Sequence, residues 1–509
     1  MNEKYLLGID IGTSGTKTVL FTADGTALAS YTGEYPLYQP VNGYAEQEPS
    51  DWWKAVCDGT RAVITKSGIN PHEIAGVGLS GQMHGLVMLD SDGTVLRKSI
   101  IWCDQRTAAE CDEITSRVGA ERLMEITANP ALTGFTASKI LWVRNNEPDI
   151  YGKCRHILLP KDYIRYILTG EFATEVSDAS GMQLLDIKNR CWSDEVLDKL
   201  EIERSLLGKM YESPEITGVI SKIAEEKTGL AAGTPVVGGA GDNAAAAVGT
   251  GVVRDSAAFT TIGTSGVLFA HSSRFAVDKS GRFHTFCCAV PGEWHMMGVT
   301  QAAGLSLKWF KDNFCNEENI LAQDSGEDVY ALVDRMAETI PIGSDKLLYL
   351  PYLMGERTPH LDADARGVFF GLSARHTKSH LLRSIMEGIS YSMRDCLEVF
   401  AENGISFENM TVCGGGGKSR FWRQMLSDVY ACPCDTVLSG EGPALGAALL
   451  AGVGTGIYST VHEACDCAVK HGPAQQPDAA SHEEYMKFYA VFKDIYPALK
   501  PLYKELSHI

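Results

Sequence analysis

Residues 8–18 read G-I-D-I-G-T-S-G-T-K-T. An acidic side chain, Asp10, ends the apolar run Tyr5–Ile9 and stands just before a glycine turn. The string I-G-T-S-G returns at Ile262–Gly266, a shift of 262 − 11 = 251 residues in a chain of 509. Both copies lie between short β-rich runs, Tyr5–Asp10 and Thr16–Thr22 for the first, Ala257–Ile262 and Val267–Ala270 for the second. Each reads as strand, tight turn, strand. The repeat predicts two α/β domains that open on equivalent hairpins. The boundary falls near Gly249–Arg254, giving halves 1–249 and 250–509.

Size and composition agree with two cores. A chain of 509 residues exceeds what one hydrophobic core usually holds. Hydrophobic residues make up 45% and charged residues 21%, as in soluble globular proteins. The net charge of −19 argues against nucleic acid or an anionic membrane as partner, because both would be repelled. No apolar run approaches the length of a membrane span, and the N-terminus lacks a signal-peptide layout. The 14 cysteines are scattered, which suits free thiols in a reducing, cytoplasmic setting. The pairs Cys432/Cys434 and Cys465/Cys467 lack the spacing and histidine partners of a zinc site.

Further elements follow from pattern. Asp24-Gly25 turns the chain into a third strand, Thr26–Tyr31. Pro49–Ser67 reads as a helix with Ser50 as its N-cap. Ile74–Leu79 and Leu86–Leu89 read as strands around S-G-Q-M-H-G, and Val95–Trp102 as extended chain after Asp92-Gly93. In Ser379–Phe400, Leu382, Ile385, Met386, Ile389, Met393 and Leu397 form one apolar helical face. Gly414–Gly417 follows the short strand Met410–Cys413 and opens a helix near Arg420–Val429. The aromatics between Tyr485 and Tyr503 predict an amphipathic helix docked on a lobe or on a partner.

A glycine turn exposes successive backbone N–H groups and binds phosphate oxygens without basic side chains. Gly12, Thr13 and Ser14, and their counterparts Gly263, Thr264 and Ser265, fit that use. Two such turns facing each other would grip a polyphosphate from both sides. Asp10 beside them suits a carboxylate that meets phosphate through Mg²⁺, or one that only accepts N–H bonds in the turn. Lys17 adds a positive charge just past the turn. A Walker loop is ruled out at Cys413–Ser419, where Val412 stands in the place of the required glycine. A dinucleotide fold is ruled out because a hairpin, not a helix, follows the first strand. Gly414–Gly417 reads instead as a close approach to a flat ligand such as adenine.

In G-G-A-G-D-N-A-A-A-A-V-G, residues 238–249, Asp242 and Asn243 are the strongly polar side chains of a small-residue stretch. Asp242 suits a base that takes a proton from an alcohol as it attacks phosphorus, and equally a helix N-cap. The loop Ser80–Gly85 offers Gln82, Met83 and His84 to a polyol or ketose. Trp102, Asp104 and Arg106 either reach the same sugar or brace its pocket.

Together these strings resemble the FGGY carbohydrate kinases of the actin/hexokinase-like ATPase superfamily. The resemblance runs the length of the chain. It rests on D-I-G-T-S-G-T-K at 10–17, S-G-Q-M-H-G at 80–85, W-C-D-Q-R-T at 102–107 and G-D-N at 241–243. I-G-T-S-G at 262–266, G-E-R-T-P-H-L-D-A-D-A-R-G at 355–367 and G-G-G-G-K-S at 414–419 complete it. It implies two RNase-H-like domains around a nucleotide cleft, with ATP and Mg²⁺ as cofactors. Q-M-H-G and W-x-D-x-R point to the branch that phosphorylates D-xylulose, with ribulose, gluconate or a polyol as alternatives. A non-kinase actin-like ATPase is the rival outside the family. By position, Asp10 is the Mg²⁺-associated carboxylate. Thr13, Lys17, Gly263 and Thr264 touch phosphates, Gly304 and Lys308 lie near the nucleotide, and Gly415 and Ser419 belong to the adenosine loop. Met83 and His84 contact the sugar, Asp242 is the general base and Asn243 holds the sugar beside it. The partners implied are a small sugar and ATP; a homodimer is left open.

Overall fold

The computed structural model describes residues 4–509, and in it each copy of the repeated string joins the first two strands of a sheet; the two sheets share one order over five strands and add a further strand at opposite edges. In the first, Ile216–Val219, Pro235–Val237, Ile74–Gly81, Tyr5–Ile11, Gly15–Thr22 and Ala27–Glu34 lie side by side. In the second the order is Cys434–Asp435, Phe407–Gly414, Ser256–Ile262, Gly266–Ser272, Trp294–Thr300 and His284–Cys287. Each central strand runs antiparallel to its hairpin partner and parallel to the strand on its other side. Ile11 pairs with Gly81 and Ile262 with Gly414. The loop S-G-Q-M-H-G of one lobe and the glycine loop of the other thus leave equivalent strands at equivalent edges. One detail breaks the repeat. Ile11 pairs with Thr16 but Ile262 with Gly266, so the first turn holds one residue more.

Leu6, Leu7, Ile9 and Ile11 are all fully buried, as in a central strand covered on both faces. The helix Pro49–Ser67 covers one face through Trp52, Val56 and Val63. The other face is covered from far along the chain, by the helix Gly442–Gly454. Backbones meet there. A Cβ on Gly8 would stand 1.9 Å from the Ala444 carbonyl oxygen, and one on Gly78 1.8 Å from that of Ala447. The same helix crosses Asp242–Gly249, where a Cβ on Gly446 would stand 1.8 Å from the Ala245 oxygen. The small-residue stretches at 239–249 and 442–452 are the two sides of this crossing, so the second half of the chain covers part of the first sheet.

Two local expectations change. Glu48, not Ser50, occupies the N-cap of the first long helix, because Pro49 with its fixed φ takes the first helical position. Of Val95–Trp102 only Ser99–Ile100 is a strand. The long helix spans Lys378–Glu402 and buries the expected apolar face. The C-terminal helix Ala479–Ser507 docks on the second lobe, burying Tyr485, Tyr489, Phe492, Tyr496 and Tyr503. Its hydroxyls find partners there: Tyr489 donates to Asp395 at 2.7 Å and Tyr496 to Asp362 at 2.6 Å. Among the described residues no helix is long and apolar enough to cross a membrane.

Candidate active site

The two turns are built to the same end by different means. In the first, Gly12 N–H donates to the Gly15 carbonyl at 3.0 Å. Side chains occupy its other carbonyls: Tyr35 O–H donates to Gly12 O at 2.5 Å and Gln47 Nε2 to Thr13 O at 2.6 Å. Trp102 Nε1 donates to Thr13 Oγ1 at 2.9 Å. In the second, Gly263 N–H donates to Ser265 O at 3.1 Å, and a helix supplies the carbonyl partners. Gly304 and Leu305, at the start of Gly304–Phe314, donate to Gly263 O at 2.8 Å and Thr264 O at 3.1 Å. Among the described residues nothing accepts from the N–H of Thr13, Ser14, Thr264 or Ser265. Each turn therefore keeps two backbone donors for a ligand.

Sheet register brings the two carboxylates together. Ala240–Gly241 pairs with Ser80 and Gly81, which pair in turn with Asp10 and Ile11. Asp242 follows at once as the first residue of its helix, with Gly241 as N-cap. Ser80 Oγ donates to Asp10 Oδ1 at 2.9 Å, and Lys17 stands opposite Asp10 in the hairpin. Burial raises the Asp10 pKa against the pull of Ser80 and Lys17. Asp242 is pushed up to about 7, first by burial and then by the charge of Asp10, while Asn243 N–H and Nδ2 donate to it and oppose the shift. Asp242 and Asn243 line a cavity of about 640 Å³ whose far wall is Thr261, Gly414, Lys418 and Gly442. A second cavity of about 560 Å³ shares Lys418 with it and is lined by Gly263, Thr264, Gly304, Lys308, Gly415 and Ser419.

On the other side of Asp242, Met83 is buried against Gly241, where a Cβ would come within 2.9 Å of its Cγ. His84 has φ 70°, a left-handed backbone that a non-glycine residue adopts at a cost. Its ring stacks on Phe135 with centroids 4.7 Å apart, and Nδ1 lies 2.9 Å from the Gly181 carbonyl. A carbonyl only accepts, so Nδ1 carries the proton and Nε2 is left as an acceptor. Burial, helped by the nearby Lys139 charge, pushes the His84 pKa down to about 3. The imidazole is thus neutral near pH 7, with Nε2 able to accept a hydrogen bond.

Sequence comparison gives this site a family. The N-terminal domain model of the FGGY family of carbohydrate kinases matches residues 5–249, and its C-terminal domain model matches residues 258–455. The chain belongs to the FGGY family of carbohydrate kinases. A xylulose kinase of Bacillus subtilis is 38% identical over 499 residues, covering 98% of either chain. Among solved structures, a xylulose kinase from Rhodospirillum rubrum superposes with a TM-score of 0.90 at 28% identity, covering 98% of this chain and 100% of that one. A gluconate kinase from Lactobacillus acidophilus gives 0.91 at 28% identity, covering 99% and 100%.

Within this FGGY kinase the residues expected at the nucleotide side from the second half share one cavity. Two of them have work of their own there. Ser419 Oγ accepts from Trp422 N–H at 3.0 Å and caps the helix Arg420–Tyr430. Lys308 is largely exposed at the rim and pairs with Asp312. Lys17 is not free either, since its Nζ lies 2.6 Å from Glu441 Oε2. Gln82, expected at the sugar, spends its buried carboxamide on the first turn, donating to Gln47 Oε1 at 2.7 Å and accepting from Thr13 Oγ1 at 3.4 Å. Asp104 and Arg106 are bracing groups. Asp104 holds Arg106 through paired bonds of 2.7–3.0 Å and accepts from Ala45 N–H at 2.6 Å. Trp102 is 46% exposed and reaches the first turn through its Nε1.

Sequence reasoning missed Tyr35, Gln47, Glu441 and a buried charge cluster behind Asp242. In that cluster Lys161 meets Asp162 at 2.8 Å and Asp178 at 3.3 Å. Arg165 donates to Gly238 O at 2.7 Å, and Ser177 Oγ accepts from Gly241 N–H at 3.1 Å. These bonds hold the backbone that carries Asp242. No motif marks them, because the partners come from separate elements.

Proposed function

We propose that this FGGY kinase transfers the γ-phosphoryl group of ATP to the 5-hydroxyl of D-xylulose, giving D-xylulose 5-phosphate and ADP. The observation that carries the reading is Asp242. Its carboxylate lines the cavity of about 640 Å³ together with Gly414 and Lys418 of the second half, and its pKa of about 7 suits proton transfer near neutrality. Asp242 takes the hydroxyl proton as that oxygen attacks the γ-phosphorus. Thr13, Ser14, Thr264 and Ser265 bind phosphate oxygens. Met83, the His84 acceptor and Asn243 position the sugar. Residues 1–249 supply the sugar side and 250–509 the nucleotide side.

Asp10 fits a magnesium ion. It is a hard oxygen donor at the phosphate turn, and only Oδ1 has a hydrogen-bond partner among the described residues. When bound, the ion neutralises charge on the transferring phosphates. All 14 cysteines are free, which supports a cytoplasmic setting.

The choice of D-xylulose over gluconate rests on the 38% identity to the Bacillus subtilis xylulose kinase, against 28% for the gluconate kinase, and on the two carboxylates, Asp10 and Asp242, that sheet register brings together. ADP release measured with D-xylulose, D-ribulose and D-gluconate tests it. D-xylulose is expected to give a kcat/KM at least about tenfold above the others. A higher value for gluconate, or no gain over water, would reassign the substrate.

The second turn gives a separate prediction. A Cβ at position 304 would stand 2.4 Å from Gly263 O, the atom that Gly304 N–H now bonds. Gly304→Ala is expected to push the turn outward and weaken ATP binding about tenfold, ~1.4 kcal/mol. Calorimetric titration with ATP reads this directly; unchanged affinity would show that the turn is not a phosphate grip.

A further inference from the structure

Lys17 and Glu441 form a close ion pair beside the segment that lines the Asp242 cavity. Their charged atoms are 2.6 Å apart, and the side chains are 35% and 20% exposed. Glu441 sits at the N-cap of Gly442–Gly454 but makes no capping bond with its side chain. The contact is an ion pair without hydrogen-bond geometry: Oε2 is buried and, among the described residues, no group donates a hydrogen bond to it. Its neighbours Ser439, Gly440, Gly442 and Pro443 line the cavity that Asp242 faces. A Cβ on Gly440 or Gly442 would meet nothing within 4 Å, so this short segment has room to move. The helix behind it does not, being pressed on Gly8 and Gly78.

We propose that Glu441 and a nucleotide phosphate compete for Lys17, so that ATP binds by displacing the carboxylate. The proposal rests on the reading of Lys17 as a phosphate contact. A carboxylate and a phosphate oxygen compete for the same ammonium donors. Three carboxylates, Asp10, Asp242 and Glu441, face this region, and a triphosphate cannot share the lysine with Glu441 without like-charge repulsion. Glu441 is therefore a positioning residue. It lowers nucleotide affinity and recaptures Lys17 as ADP leaves, which speeds product release.

The test uses the full-length kinase, with ADP and Mg·ATP titrated calorimetrically and ADP release followed by stopped flow. Glu441→Gln is expected to tighten both nucleotides about three- to tenfold and to slow ADP release by a similar factor. Glu441→Asp should keep affinities near wild type, which a packing effect would not predict. Lys17→Met should weaken both nucleotides, and adding Glu441→Gln to it should bring little further gain. Unchanged or weaker binding in Glu441→Gln overturns the competition while leaving Lys17 as a phosphate contact. A full gain that persists without Lys17 also overturns it. Wild-type nucleotide affinity in Lys17→Met instead removes the Lys17 reading itself.

Discussion

Asp242→Asn is expected to lower kcat for sugar phosphorylation by about 10²–10⁴-fold, the usual contribution of a general base. ADP affinity should stay near wild type, because the cavity proposed for the nucleotide is lined by residues of the second half of the chain. The substitution keeps size and the bonding to Asn243 while removing the proton acceptor. The wild-type pH profile adds a second readout. The active form is the ionised carboxylate, and burial with the Asp10 charge raises its pKa to about 7. The kcat/KM of the free enzyme should therefore rise with pH, with a midpoint near that value, and level off above it. A cation at Asp10 would move the midpoint down, since it cancels the like charge. Coupled assay of ADP release between about pH 5 and 9 checks both points. Near-normal turnover in Asp242→Asn would remove it as the base.

Gly78→Ala is expected to be among the most destabilising single-methyl additions in this chain. The new Cβ would stand 1.8 Å from the Ala447 oxygen and 2.4 Å from its carbonyl carbon. Both are helix backbone, so no side-chain rotation relieves the contact. The helix Gly442–Gly454 would have to lift from the first sheet, loosening its crossing with Asp242–Gly249. Overpacking typically costs 1–3 kcal/mol, and a backbone clash of this depth should cost about 3 kcal/mol or more. The first transition of a thermal or urea melt should fall accordingly, and activity with it. Gly152→Ala is the control. That glycine lies exposed in the helix Pro148–Lys153 with nothing within 4 Å of an added Cβ. Alanine there should be neutral or stabilising by up to about 1 kcal/mol. A loss below about 1 kcal/mol in Gly78→Ala would mean that the helix–sheet contact yields easily.

Much of the cleft was legible because its parts are short and local. A glycine turn between two strands needs only a few adjacent residues, and Asp10, Thr13 and Thr264 sit in or beside such turns, while Gly415 lies in a strand-to-helix loop. The loop that carries Met83 and His84 was legible for the same reason, as a short link between two strands. Lys17, Ser419 and Gln82 show the limit. Their positions were read from local strings, but their present partners, Glu441, Trp422 and Gln47, were not. Partner choice depends on which surfaces meet, and no periodicity encodes that.

From its amino acids alone this chain declared two lobes, two glycine turns and an acidic residue in each of two glycine-rich stretches of the first half. Those features arise from neighbouring residues, where backbone geometry and hydrogen-bonding capacity are decided within a few positions. Tertiary structure alone decided that Asp10 and Asp242 converge, that Gly442–Gly454 returns to cover the first sheet, and that Glu441 holds Lys17. The reason is physical: such contacts join segments hundreds of residues apart. They exist only once strand register and helix packing have fixed which atoms come within reach.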